Sequence, residues 1–127
     1  MSGIVVDIAS PFGFQPTLER VLAAIHGAGL TVFATIDHAE GARSAGLAMP
    51  ATTVVIYGNP KGGTPVMLAT PAVALDLPLR VLVREASDGV VVSFHPIADV
   101  LMAAGVPEDV ARKLEPGQRI LAEALQA

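Results

Sequence analysis

The sequence predicts an α+β fold. It reads as a single domain over residues 1–127, in two layers, with about five strands in a mixed sheet and helices packed mainly on one face. Short runs rich in β-branched and apolar residues recur at 4–8, 30–36, 52–57, 79–86 and 90–95. Between and after them, apolar residues fall at helical spacing. Asp88-Gly89 separates the last two runs, and that dipeptide favours a two-residue hairpin turn. A hairpin combined with strand–helix–strand units implies both antiparallel and parallel pairs.

Ile4, Val5, Val6 and Ile8 form the first expected strand, which Ser10-Pro11-Phe12-Gly13 ends. Thr17 is the expected N-cap of a helix whose apolar stripe is Leu18, Val21, Leu22 and Ile25, and Gly29 is placed to stop it. Residues 30–36 alternate, with Leu30, Val32, Ala34 and Ile36 on one face and Thr31, Phe33 and Thr35 on the other. Asp37 and Glu40 stand at capping-box spacing and open a short helix that Gly46 ends. The strand at 52–57 leads into the glycine-rich stretch Gly58-Asn59-Pro60-Lys61-Gly62-Gly63, after which Thr64-Pro65 is the expected start of a helix. Thr70-Pro71 starts another, closed by Leu77-Pro78.

With Asp88-Gly89 as the hairpin loop, Ser87 faces Val90, Arg84 faces Ser93, Val83 faces Phe94 and Leu82 faces His95. Pro96 then sits at the first position of a helix with stripe Ile97, Val100, Leu101 and Ala104, stopped at Gly105. Pro107 opens a further helix, interrupted near Pro116-Gly117, and Ile120, Leu121, Ala124 and Leu125 give the chain's last segment an apolar face. The core face of the sheet is expected to carry Val32, Ile36, Val81, Val83, Val92 and Phe94. The opposite face, with Thr31, Phe33, Thr35, Arg80, Leu82, Arg84, Ser93 and His95, is half apolar, so a homodimer that covers it is expected.

Composition narrows the function classes. Hydrophobic residues make up 52% and charged residues 16% of the 127, with no cysteine. Thiolate catalysis, disulfides and Cys-based zinc sites are therefore excluded. A net charge of −4 without a basic run lacks the electrostatic footprint of nucleic-acid binding. No stretch approaches the ~18 apolar residues of a membrane span. The first 14 residues have no basic region and contain Asp7, which argues against a signal peptide. A cytoplasmic protein is expected, with no nucleic-acid or membrane partner.

The candidate chemistry lies in two places. Gly58 to Thr64 can cradle an anion: glycines let backbone N–H groups converge, a helix N-terminus adds positive potential, and Lys61 adds a charge. Asn59, Lys61, Gly62, Gly63, Thr64 and Arg80 are the candidate ligand residues. The competing reading is a tight turn with Lys61 in solvent. The stretch is not a Walker loop, whose lysine directly precedes Ser or Thr. At the second place, Asp37-His38 occupies a strand-to-helix junction, where His38 can act as an acid–base with Asp37 to orient it. The competing reading is that Asp37 is only an N-cap and His38 bonds a free backbone group. His26 borders an apolar stripe, and the role of His95 is open. No histidine pair has short ligand spacing, so neither a metal nor a cofactor is expected.

The runs Ile36-Asp37-His38-Ala39, Gly58-Asn59-Pro60-Lys61-Gly62-Gly63-Thr64-Pro65-Val66-Met67, Ala74-Leu75-Asp76-Leu77-Pro78-Leu79-Arg80 and Asp88-Gly89 follow one another in that order. Together they resemble the family called domain of unknown function 302, over roughly residues 17–125. The resemblance implies a small α+β domain that dimerises, and it supplies no catalytic residues. The leading expectation is binding of a small anionic ligand or a regulatory partner near Asn59–Thr64. The alternatives are an enzyme using His38, with Asp37 and Lys61 or Arg80 in support, and a structural or assembly module without a ligand.

Overall fold

The computed structural model describes residues 4–127. Residues 1–3, part of the stretch read above for a signal peptide, lie outside the described residues. The strands are β1 (Val6–Ser10), β2 (Thr31–Asp37), β3 (Thr52–Gly58), β4 (Leu79–Ala86) and β5 (Gly89–Phe94). The helices are α1 (Phe14–Gly27), α2 (His38–Ser44), α3 (Pro60–Ala69), α4 (Ile97–Ala103), α5 (Glu108–Ala111) and α6 (Pro116–Ala124), with 3-10 segments at Pro71–Asp76 and Arg112–Leu114.

The strand order is β1-β5-β4-β3-β2, and every neighbouring pair is antiparallel. The expected mixed sheet is thus corrected to an antiparallel one. A strand–helix–strand unit gives a parallel pair only where the helix carries the chain back along the strand and the two strands are neighbours. β1 and β2 flank α1 but lie at opposite edges of the sheet. The seven residues of α2 rise about 10 Å, less than half the ~23 Å of the seven-residue β2.

The core lies between one sheet face and the helices. Val55, Tyr57, Val81, Val83 and Val92 from the sheet meet Val21 and Ile25 of α1, Val66 of α3, Leu101 of α4 and Leu121 of α6. The stripe read in α1 is confirmed, but its start is not. The helix begins at Phe14 after Gly13, and Thr17 is buried one turn inside. There its hydroxyl sits 2.6 Å from that of Ser10, joining α1 to the end of β1.

Two register details move side chains. The β2–β3 pairing shifts between Val32 and Ala34, so Phe33 is an inserted residue. An extra residue flips the alternation beyond it. Val32 stays on the core face opposite Tyr57, but Ile36 pairs with Val54 on the other face and is 42% exposed. Ile36 is therefore not a core residue, and Thr35 moves to the side of Val55. In the hairpin, Ala86 faces Gly89, so the turn is Ser87-Asp88. Gly89, with φ +140°, serves as the first residue of β5, a conformation that side-chain-bearing residues avoid. Val83 consequently faces Val92, Arg84 faces Val91, Leu82 faces Ser93, and Phe94 pairs with Val6 of β1. The displacement is by two residues along β5, so each side chain keeps its expected face.

On the second face of the sheet lie Ile36, Val54, Ile56, Leu82 and Val91, none of which packs against the core. Arg80, Arg84 and Asp7 share this face. Ser93 is buried there, and its hydroxyl is satisfied by donating to the Asp7 carboxylate at 2.5 Å.

Candidate binding site

The glycine-rich stretch is helical from Pro60 onward. Asn59 is the N-cap: its Oδ1 accepts from the N–H of Lys61 at 2.9 Å, and its carbonyl accepts from Gly62 and Gly63, each at 3.0 Å. Pro60 therefore takes the first position that Pro65 was expected to hold, and Pro65 stands inside α3. Thr64 is not a cap. The backbone N–H groups of Gly62 and Gly63, expected to face an anion, are hydrogen-bonded within the first turn of α3, as is that of Lys61.

The stretch instead forms one side of a cavity of about 290 Å³. Leu30, Phe33, Met67, Leu77, Leu79 and Leu114 make its walls apolar. Its polar contributors are Asn59, Thr64 and Lys113, and Lys113 is exposed. Glycines keep the space open: a methyl group at Gly117 would lie 2.7 Å from Leu79 Cδ1, and one at Gly62 would lie 3.2 Å from Leu114 Cδ2. The far wall is tied to the sheet by Tyr57. Its hydroxyl donates to the Gly117 carbonyl at 2.7 Å, and burial raises its pKa well above the ordinary phenol value.

Of the residues singled out in the sequence, Asn59, Gly62, Gly63 and Thr64 line this cavity. Lys61 is exposed and is not among its lining. His38 and Asp37 line neither this cavity nor the one described next. The Asp37 carboxylate caps α2, accepting from the Glu40 N–H at 2.9 Å, and His38 is exposed at the first position of that helix. His38 and Lys61 thus do not share a cleft. His26 is exposed in the last turn of α1. Among the described residues, no three of His, Asp and Glu are grouped as metal ligands. Lys113, Leu114 and Gly117 were missed, because in the sequence they lie beyond Pro107, where Pro116-Gly117 reads only as an interruption.

A second cavity, of about 220 Å³, adjoins Pro78 and Leu79 and is lined by Asp76, Arg80, His95 and Gln118 among others. His95 Nδ1 lies 2.7 Å from the Ile4 carbonyl. A carbonyl only accepts, so Nδ1 carries the proton. Gln118 is 8% exposed and uses both ends of its amide: Oε1 accepts from the Ile97 N–H and Nε2 donates to the His95 carbonyl, each at 2.9 Å.

A family profile described as Domain of unknown function DUF302 matches residues 6–127. The chain belongs to this family. The crystal structure of an uncharacterized conserved DUF302 protein from Bacillus stearothermophilus shares the fold, with a TM-score of 0.88 at 15% identity, covering 98% of this chain and 100% of that one. Curated relatives include Fluoride-specific ion channel FluC 1 of Brucella suis biovar 1 (strain 1330), 41% identical over 84 residues, which are 66% of this chain and 33% of that protein. FluC 2 of Brucella melitensis biotype 1 is likewise 41% identical over 84 residues, 31% of its length. This DUF302 chain thus spans about a third of the curated relatives it matches. Among its described residues, no helix is long and apolar enough to cross a membrane.

Proposed function

We propose that this DUF302 domain is a non-enzymatic binding module whose ligand is a small amphipathic anion held in the cavity beside Asn59–Thr64. The observation that carries this reading is the character of the cavity, an apolar, glycine-walled space of about 290 Å³ with Lys113 at its edge. Small-molecule sites combine mostly apolar walls with a few polar groups that fix orientation. The ligand's apolar body lies against Leu79, Met67 and Leu114, and its anionic end meets Lys113. Lys61 has no part in it. The acid–base alternative at His38 is less well supported, because Asp37 is engaged as a helix cap and His38 lies outside both cavities.

The binding acts on a partner. A second copy of the chain is the partner the open sheet face supports, since Ile36, Val54, Ile56, Leu82 and Val91 gather there away from the core. In the relatives named as fluoride channels, the matched part is about a third of the protein. A channel needs membrane-spanning segments, so we assign the pore of those proteins to the remaining two thirds and a regulatory role to the DUF302 part.

A thermal-shift screen with medium-chain carboxylates tests the ligand, because a molecule that binds the native state raises the melting temperature. Gly63 is the position to block: a methyl group there would lie 3.8 Å from Met67 Cε and 3.9 Å from Leu77 Cδ1, both of which line the cavity. The expected result is stabilisation of the wild type, a weaker response in Lys113→Ala and none in Gly63→Met. No stabilisation by any carboxylate, or an equal response in Gly63→Met, defeats the reading.

A further inference from the structure

The second cavity carries chemistry that the first does not use. It lies where β4 begins and β5 has just ended. Arg80 and Asp76 bring opposite charges to it, yet they form no ion pair with each other or with any other charged side chain among the described residues; the ion pairs there join Arg43 to Glu40, Arg112 to Glu108 and Glu115, and Arg119 to Glu115. His95 is fixed at two points, its ring by the Ile4 carbonyl and its backbone carbonyl by the buried Gln118. The ring is exposed, and its bond to Ile4 sets its tautomer. With the proton on Nδ1, its Nε2 is an acceptor. Ile97 and Val100 add apolar surface, and Leu75, 84% exposed, stands at the rim as an apolar side chain for a ligand to cover.

We propose that this cavity binds a small apolar amino acid in its zwitterionic form. Arg80 takes the carboxylate, Asp76 takes the ammonium group, His95 Nε2 accepts one of the ammonium hydrogens, and Leu75 and Val100 receive the side chain. A simple anion would meet Arg80 but be repelled by Asp76, and a simple cation would meet the reverse. A molecule carrying both charges uses both residues, and a guanidinium is well shaped to hold a carboxylate through two hydrogen bonds. The site is separate from the first cavity in its polar groups, so the inference does not rest on the reading given above.

Isothermal titration of the whole chain with L-leucine tests it, with 4-methylpentanoate and 3-methylbutylamine as single-charge analogues, alongside NMR of the His95 ring. Leucine is expected to bind, to shift the His95 ring resonances, and to bind more tightly than either analogue. Arg80→Gln and Asp76→Asn are each expected to weaken binding by about tenfold or more, the scale of a lost charge-assisted hydrogen bond. Both side chains are exposed, so unchanged melting temperatures of the variants serve as the control for folding. Gly63→Met, which fills the first cavity, should leave leucine binding intact. The proposal is overturned by the absence of leucine binding at about 10 mM, by an analogue that binds as well as leucine, or by loss of leucine binding in Gly63→Met.

Discussion

The two faces of β3 carry similar side chains and meet different fates. Thr53, Val55 and Tyr57 are buried at 2%, 0% and 0% exposure. Val54 and Ile56, between them, are only half-buried and stand apart from the core. β-Branched residues on both faces of a strand do not say which face receives the helices. That choice is made by the stripes of α1 and α6, whose Val21, Ile25 and Leu121 have a single place to go. The other face keeps a row of apolar side chains bordered by Arg80, Arg84 and Asp7.

The sharpest way to test this contrast is to cut into each side in turn. Ile25→Ala on the helical side should destabilise the protein by ~2–5 kcal/mol in chemical denaturation, the range for a fully buried large aliphatic residue. A loss near zero would mean that α1 is not docked on this face. Phe94 is half-buried and pairs with Val6, so Phe94→Ala should fall below the ~3–5 kcal/mol of a fully enclosed phenylalanine. A loss within that range would place Phe94 deeper in the core than the β1 edge allows.

Tyr57 probes a polar group on the covered face. Removing its hydroxyl leaves the Gly117 carbonyl without that donor, so Tyr57→Phe should cost ~1–3 kcal/mol. The pH dependence follows from the same burial. Because the folded-state pKa is raised, this contribution is fully present below the unfolded value of ~10 and is lost as the pH rises from there toward the folded value. The denaturation midpoint should therefore decline above pH ~10, and Tyr57→Phe should flatten the decline. As the chain's single tyrosine, it can be followed directly by its absorbance.

The smallest expected change in monomer stability is on the open face. Ile56 is half-buried in an interior strand, so Ile56→Ala should cost ~1 kcal/mol, less than Ile25→Ala. The same face is where a second copy is proposed, so Ile56→Asp should shift sedimentation at micromolar concentration toward the monomer. A wild type that sediments as a monomer, or an Ile56→Asp variant that assembles like the wild type, removes the second copy from that face.

Local chemistry determined much of this molecule from the sequence alone. The five strands were legible in their β-branched runs, the cap of α2 in Asp37, the end of α1 in Gly29, and membership of the DUF302 family in its ordered motifs. These depend on residues close together in the chain. The antiparallel sheet, the bulge at Phe33 and the turn at Ser87-Asp88 depended instead on which strands meet and in what register. Asn59 and Thr64 are both good caps in isolation, and only the folded chain chose Asn59. That choice placed the glycine amides inside a helix and turned an expected anion cradle into the wall of an apolar cavity. The opposite wall comes from residues 113–117, far along the chain and marked by no local pattern. A cavity belongs to several distant segments at once, so its walls become visible only when tertiary packing brings them together.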